Sequence, residues 1–214
     1  MHIPDGFLDT KTWVTTAVIS AGAISYASKK ARQTLDERQL PILGVMSAFI
    51  FAGQMINFPI AGGASGHLLG AALATIILGP WSACLIIATV LGVQSIFFQD
   101  GGITVLGASI FNMAVVAVAV SYYTHKLLEK LKLGTVIATF AAAWLSIMVA
   151  AMLVALELAI SGTVPLTVVL PAMAGWHAFI GIGEGLITVV VVSFVKRTNI
   201  LGQAKIGDEP DEEA

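Results

Sequence analysis

The chain opens MHIPDG, and its first two residues bring three nitrogen donors within reach of one point. The terminal amine, the peptide nitrogen of His2 and the His2 imidazole close fused five- and six-membered chelate rings on a single ion. One in-plane position is left, and a second imidazole fills it. Four nitrogens in a tetragonal or square plane suit Ni(II) or Cu(II). Zn(II) prefers a tetrahedron and Mg(II) an octahedron of oxygens. The ring sizes also fix the register, because a residue inserted between Met1 and His2 breaks them. His67, which ends the run GGASGH, is open to two readings: ligand, or hydrogen-bonded structural residue.

Such donors need a scaffold, and composition gives its class. Of 214 residues 57% are hydrophobic and 11% charged, against about 25% charged in a soluble domain. Between 40 and 124, Asp100 is the one Asp, Glu, Lys or Arg. That pattern predicts an all-α polytopic membrane protein. Seven spans are expected, at about 12–28, 40–57, 66–78, 81–98, 104–124, 135–160 and 175–195. Gly79-Pro80 makes the tight join between the third and fourth. The acidic end DEPDEEA reads as a solvated cytoplasmic tail over 199–214. It leaves 1–198 as one membrane domain, with 1–11 as an extracellular plug. The net charge of −2 becomes +3 once the tail's five acids are set aside. Cys84 stands alone, so no disulfide framework exists.

Ten of the eleven Lys and Arg side chains follow spans one, five and seven. Cytoplasmic loops carry such an excess, so the amino terminus is expected outside and the carboxyl terminus inside. No basic segment precedes the first span as a cleavable leader would require. Four outer segments then come together: the start, 57–67, 99–112 and 163–177. Each is rich in Gly, Pro or small polar residues. Non-helical backbone at membrane depth must be covered by protein or line a cavity, so these segments are expected to fold inward and roof a pocket. Three of the four histidines, His2, His67 and His177, fall on that side.

Further polar residues could support the plug. Asp5 either holds it, orients an imidazole, or serves the turn in Pro-Asp-Gly. Asn57 and Ser65 could bond the plug, and Ser65 could equally cap the helix opened by His67. Asp100 and Glu184 are ionisable groups in or beside spans, where they are costly and often functional. His177 and Glu184 are seven residues apart and share a helix face, with Asn112 and Gln94 as neutral partners. The same face reads alternatively as a polar clamp between helices six and seven that engages Glu157.

MHIPDG, NFPIAGGASGHLLG, the DGG…LGA…FNM pattern over 100–113 and HAFIGIGEGLIT over 177–188 resemble one family. It is the nickel/cobalt substrate-binding subunits of energy-coupling-factor transporters, the NikM/CbiM family. MHIPDG and GHLLG are the most specific pieces, and the likeness runs from Met1 to about Thr188. It implies a seven-helix substrate-specificity component whose amino-terminal segment plugs the pocket. It also implies the metal ligands: the Met1 amine, the His2 amide and imidazole, and the His67 imidazole. Ala64 is a minor departure.

No GxxxxGK[ST] loop occurs, so this chain has no phosphate cradle of its own. The resemblance implies a transmembrane coupling (T) subunit and a pair of cytoplasmic ATPases, and allows a small accessory membrane subunit. Nucleic acid is not an expected partner, and no cofactor is expected, with Ni(II) or Co(II) as the transported substrate. Small-xxx-small pairs at Ala17/Ala21, Ala23/Ala27 and Ala48/Ala52 permit close helix approach. Ala48 and Ala52 are the expected coupling face, with packing inside the subunit as the alternative for any pair. The expected location is a prokaryotic plasma membrane. Two rival functions remain at this point: an intramembrane zinc enzyme built on His67, His177 and Glu184, and a gradient-driven carrier.

Overall fold

In the computed structural model, residues 1–35, 39–60, 62 and 64–198 are described, and the tail expected over 199–214 lies outside them. Among the described residues the chain forms six helices and one hairpin. Helix α1 is Thr10–Thr34 and α2 is Leu40–Met55. Strands β1, Phe58–Ile60, and β2, Ala64–Gly66, pair antiparallel with Pro59 opposite Ser65. Helix α3 is Ala71–Phe98, α4 Leu106–Lys130, α5 Thr135–Ile160 and α6 Leu166–Thr198.

Local chemistry sets the boundaries. Asp9 caps α1, its carboxylate accepting the Thr12 N–H and hydroxyl at 2.9 Å each; such a cap is worth about 1 kcal/mol. Pro41 stands in the first turn of α2, where its missing N–H costs nothing. Gly79 takes φ 79° and ψ 164° ahead of Pro80 and breaks α3 without ending it. The segment expected over 66–78 is thus a short helical arm, 71–78, joined at Gly79-Pro80 to the longer arm 80–98.

Helices α3 to α6 are each long and apolar enough to cross a membrane; α2, at 16 residues, is shorter, and α1 is not apolar enough by the same measure. The exterior is apolar, with Val45, Phe97, Ile160, Phe179 and Val190 each more than two-thirds exposed. The core between α5 and its neighbours is built from small residues, Ala138, Ala142, Ala143, Ala150, Ala151 and Ala155 being fully buried. Small side chains let helices approach where lipid offers no hydrophobic drive to associate.

Two expectations need correction. The stretch 163–177 is not irregular outer backbone, because α6 starts at Leu166 and carries His177 inside it. Pro165 supplies the first carbonyl, accepting the Val168 N–H at 2.9 Å, and the helix continues through Pro171. Glu157 does not clamp α5 to α6. It accepts from Asn112 Nδ2 at 2.7 Å, joining α5 to the π-helical turn Phe111–Val116 within α4.

Candidate metal centre

The first nine residues run inward as a plug held by three walls. At its tip the Met1 amine donates to the Ser65 carbonyl and, at 3.0 Å, to Ser65 Oγ. The His2 N–H donates to the same hydroxyl at 3.0 Å. Ser65 thus lies in β2 and docks the plug; it caps no helix. A second wall is the loop after α3, where the Gly102 N–H donates to the Ile3 carbonyl at 2.8 Å. Asp5 bonds the same wall, accepting the Thr104 N–H at 2.8 Å, the Ile103 N–H at 3.3 Å and the Thr104 hydroxyl. The third wall is the start of α6, where Thr163 Oγ1 donates to the Phe7 carbonyl. Met1 is 0% and His2 5% exposed.

The His2 ring stacks on His67, centroids 4.6 Å apart and planes at 26°. His67 follows β2, and its Nδ1 lies 2.7 Å from the Leu68 carbonyl. A carbonyl only accepts, so Nδ1 carries the hydrogen and Nε2 keeps a bare lone pair. That Nε2 is buried with no hydrogen-bond partner among the described residues. The next residues are gripped from two sides. Glu184 accepts the Leu69 and Gly70 N–H groups at 2.7 and 2.8 Å, and Gln54 Nε2 donates to the Leu69 carbonyl at 2.8 Å.

Asp100 lies in the loop after α3, not within a span. Its Oδ2 is 3.7 Å from His2 Nε2 and accepts from Asn57 Nδ2 at 2.7 Å. Asn57 therefore reaches the plug through Asp100. Two residues that sequence reasoning passed over complete this wall. A Cβ on Gly101 would lie 3.1 Å from His2 Nδ1, and one on Gly102 would strike the Asp5 backbone and carboxylate. The signal was the Gly-Gly pair directly after Asp100. A cleft of about 580 Å³, lined by His2, Pro4, Asp5, Asn57, Ser65 and Asp100 among others, opens beside the plug.

Electrostatics favour bare nitrogens at the tip. Burial first, and the terminal amine second, lower the His2 imidazole to about 3. Burial likewise drives the Met1 amine well below its usual value, with Asp100 opposing, and lowers His67 well below that of a free imidazole. Asp100 is raised by its own burial, against the pull of the amine and the Asn57 bond.

The remaining expected residues divide. His177, 0% exposed, turns Nδ1 onto the Met173 carbonyl of its own helix at 2.8 Å and leaves Nε2 without a partner among the described residues. Asn112 serves Glu157, away from the plug. Ala48 and Ala52 are exposed on α2. Ala17, by contrast, is spent inside, packed against Gly107, where Ser20 Oγ donates to the Gly107 carbonyl at 2.7 Å. Among the described residues no three His, Cys, Asp or Glu side chains converge as a metal cage.

The described residues form a helical bundle of membrane type with a buried amino-terminal plug, and the comparisons give its family. The family model described as the cobalt uptake substrate-specific transmembrane region, CbiM, matches residues 2–200, and the chain belongs to that family. A protein of Archaeoglobus fulgidus, provisionally named fused nickel transport protein NikMN, is 42% identical over 91% of this chain and 65% of its own length. The fused nickel transport protein NikMN of Rhodobacter capsulatus is 35% identical over 93% of this chain and 62% of its own. This chain therefore spans less than two thirds of these fused relatives. Cobalt transport protein CbiM 2 of Pelobacter propionicus is 32% identical over 93% of this chain and 92% of its own. A crystal structure of a truncated transition metal transporter superposes with TM-score 0.88 at 34% identity, covering 92% of this chain and 99% of that one. Relatives and fold are those of transporters, not enzymes, which removes the zinc-enzyme reading.

Proposed function

We propose that this chain captures Ni(II) or Co(II) with high affinity at the outer face of a prokaryotic plasma membrane. It does so as the substrate-specificity subunit of an ATP-driven energy-coupling-factor importer. The observation that carries this is the buried plug tip, where the Met1 amine docks on Ser65, the His2 ring stacks on His67, and His67 Nε2 is left bare. The six-membered chelate ring runs through His2 Nδ1, and Asp100 faces the other nitrogen, Nε2. The ligand set is then the Met1 amine, the His2 amide nitrogen, His2 Nδ1 and His67 Nε2. Arriving metal would take the lone pair of the neutral Met1 amine and displace the His2 amide proton to water, both groups leaving Ser65. Asp100 keeps the His2 tautomer, as carboxylates commonly do behind a ligating imidazole. A planar nitrogen set disfavours ions that want oxygen or softer donors; Cu(II) outranks both cargo ions in affinity, so its exclusion falls to supply.

Charge placement supports an outer plug. Helices α1, α4 and α6 all begin at residues that touch the plug. Their far ends carry Lys29, Lys30 and Arg32, then Lys126 and Lys130, then Lys196 and Arg197. Cytoplasmic ends carry such an excess, so seven segments, with α3 counted as two, run from an outer amino terminus to an inner carboxyl end. A domain of 1–198 with 1–11 as plug follows. The fused relatives carry further chain beyond the matched part, in keeping with a partner subunit. The exposed Ala48/Ala52 face of α2 suits close contact with a coupling subunit that passes on the work of an ATPase pair.

One substitution tests the reading. Ni(II) is titrated into the purified chain and into its His2→Gln variant, following the visible d–d band of a square-planar nitrogen site. Loss of the band and of tight binding is expected. Unchanged binding overturns the plug chelate.

A further inference from the structure

We infer that His177 is a second imidazole for the same ion, which it holds together with His67 after the amino-terminal segment lets go. The inference rests on the plug chelate proposed above and adds a binding residue to it.

The placement of His177 comes from α6. This helix lies along the hairpin in steady register: Val169 meets Gly62, Trp176 packs on Phe58 with centroids 5.2 Å apart, Ile180 meets Gly66, and Glu184 grips Leu69 and Gly70. His177 falls in the middle of that run, at the level of β2 and the residue after it, His67.

The chemistry of His177 repeats that of His67. In both rings Nδ1–H is tied to a carbonyl, which leaves Nε2 as an unprotonated lone pair. Both Nε2 atoms are buried with no partner among the described residues. A buried polar atom without a partner costs about 1–3 kcal/mol, and a histidine fixed by its other nitrogen is the form that binds metals. The hydrogen bond of His177 to its own helix fixes the ring without using the ligating atom, so a purely structural role leaves Nε2 unexplained.

The exchange balances. As the plug withdraws, the bonds from the ion to the amine, the amide nitrogen and His2 Nδ1 break. The amide nitrogen regains a proton from water, one bond to His177 Nε2 forms, and waters complete the shell. The ion then sits on two imidazoles, a weaker site from which it can leave.

The test uses the full chain carrying His2→Gln, alone and combined with His177→Gln or His177→Leu. Ni(II) titration of the His2→Gln variant is expected to show a residual site at least about 100-fold weaker than the original, without the square-planar band. Either His177 substitution is expected to weaken that residual site about tenfold or more. In the chain that keeps His2 the same substitutions leave the square-planar band in place, which also reports an intact fold. Residual binding indifferent to both substitutions, or no residual binding, overturns the inference and leaves the plug chelate standing. Loss of the band in the His177 variants that keep His2 makes His177 a support of the plug itself and also overturns it. A His2→Gln chain that keeps its band and affinity overturns the plug chelate, and the inference with it.

Discussion

Glu184 and Leu69 stand 115 positions apart in the chain, yet the Glu184 carboxylate holds the Leu69 N–H at 2.7 Å inside the bundle. Its other oxygen holds the Gly70 N–H at 2.8 Å, and Gln54 takes the Leu69 carbonyl from α2. The His67 ring is tied to the Leu68 carbonyl. The position of His67 Nε2 is therefore set by groups on two helices that never touch the ion.

Glu184→Ala leaves two buried N–H groups without an acceptor. At about 1–3 kcal/mol for each, a clear loss in unfolding free energy is expected in detergent. Ni(II) affinity should fall about 10- to 100-fold, the usual cost of a lost outer partner. Glu184→Gln keeps one acceptor oxygen and should lie between. Isotherms that do not follow the order wild type, Gln, Ala would detach Glu184 from the site.

Asp100→Asn probes the tautomer of His2. Asp100 Oδ2 accepts from Asn57 and lies 3.7 Å from His2 Nε2, so asparagine removes the negative charge that faces the imidazole. Ni(II) affinity should drop about 10- to 100-fold. Asn57→Ala should cost less, because Asn57 acts through Asp100. The double variant should lose less than the sum of the two, for the same reason. Additive losses would mean that Asn57 and Asp100 act separately.

Much of this was legible in the sequence, for identifiable reasons. The long apolar run over 135–160 gives α5 with the bounds expected. His177 and Glu184 do share a face, because α6 is regular between them. Reading failed where backbone irregularity intervened. The stretch 163–177 reads as loop from its Pro, Gly and Thr residues, yet the helix starts at Leu166 and runs through Pro171. The π-helical turn Phe111–Val116 shifts the helical phase, so no spacing rule could pair Asn112 with Glu157. The hairpin was hidden because GGASG reads as loop, although its Ser65 docks the plug.

Acid should loosen the plug at Asp5. The Thr104 hydroxyl first, then the Thr104 and Ile103 N–H groups, hold this carboxyl below its ordinary value of 3.8. Protonation is then harder with the plug docked than with it released. The contribution of Asp5 to docking is full above the ordinary value and is lost as pH falls through the lowered one. A nitroxide at Pro4→Cys, in a Cys84→Ser background, should report constant mobility from pH 8 to 5 and a rise below about 4. Asp5→Asn should be more mobile throughout and lack that transition. A transition that survives in Asp5→Asn would assign the acid response to another group.

Gly101 and Gly102 let the plug wall close, and alanine at either should separate docking from folding. The Gly102 N–H pairs with the Ile3 carbonyl at 2.8 Å, and an added Cβ would strike the Asp5 backbone. Backbone cannot swing aside as a side chain can, so Gly102→Ala must push the plug outward. Gly101→Ala adds strain at φ 93° and brings its Cβ to 3.1 Å from His2 Nδ1, the proposed chelating atom. Both variants should keep the helical circular dichroism of the bundle, because the loop after α3 lies outside the helices. Both should also lose Ni(II) affinity by about 100-fold or more, a loss of at least about 2.7 kcal/mol. Gly92→Ala is the control: a Cβ there meets nothing within 4 Å inside α3, and alanine favours helix by about 0.5–1 kcal/mol. It should bind Ni(II) as the unaltered chain does and unfold later. Undiminished binding by Gly102→Ala would mean that the seated plug is not the state that holds the ion.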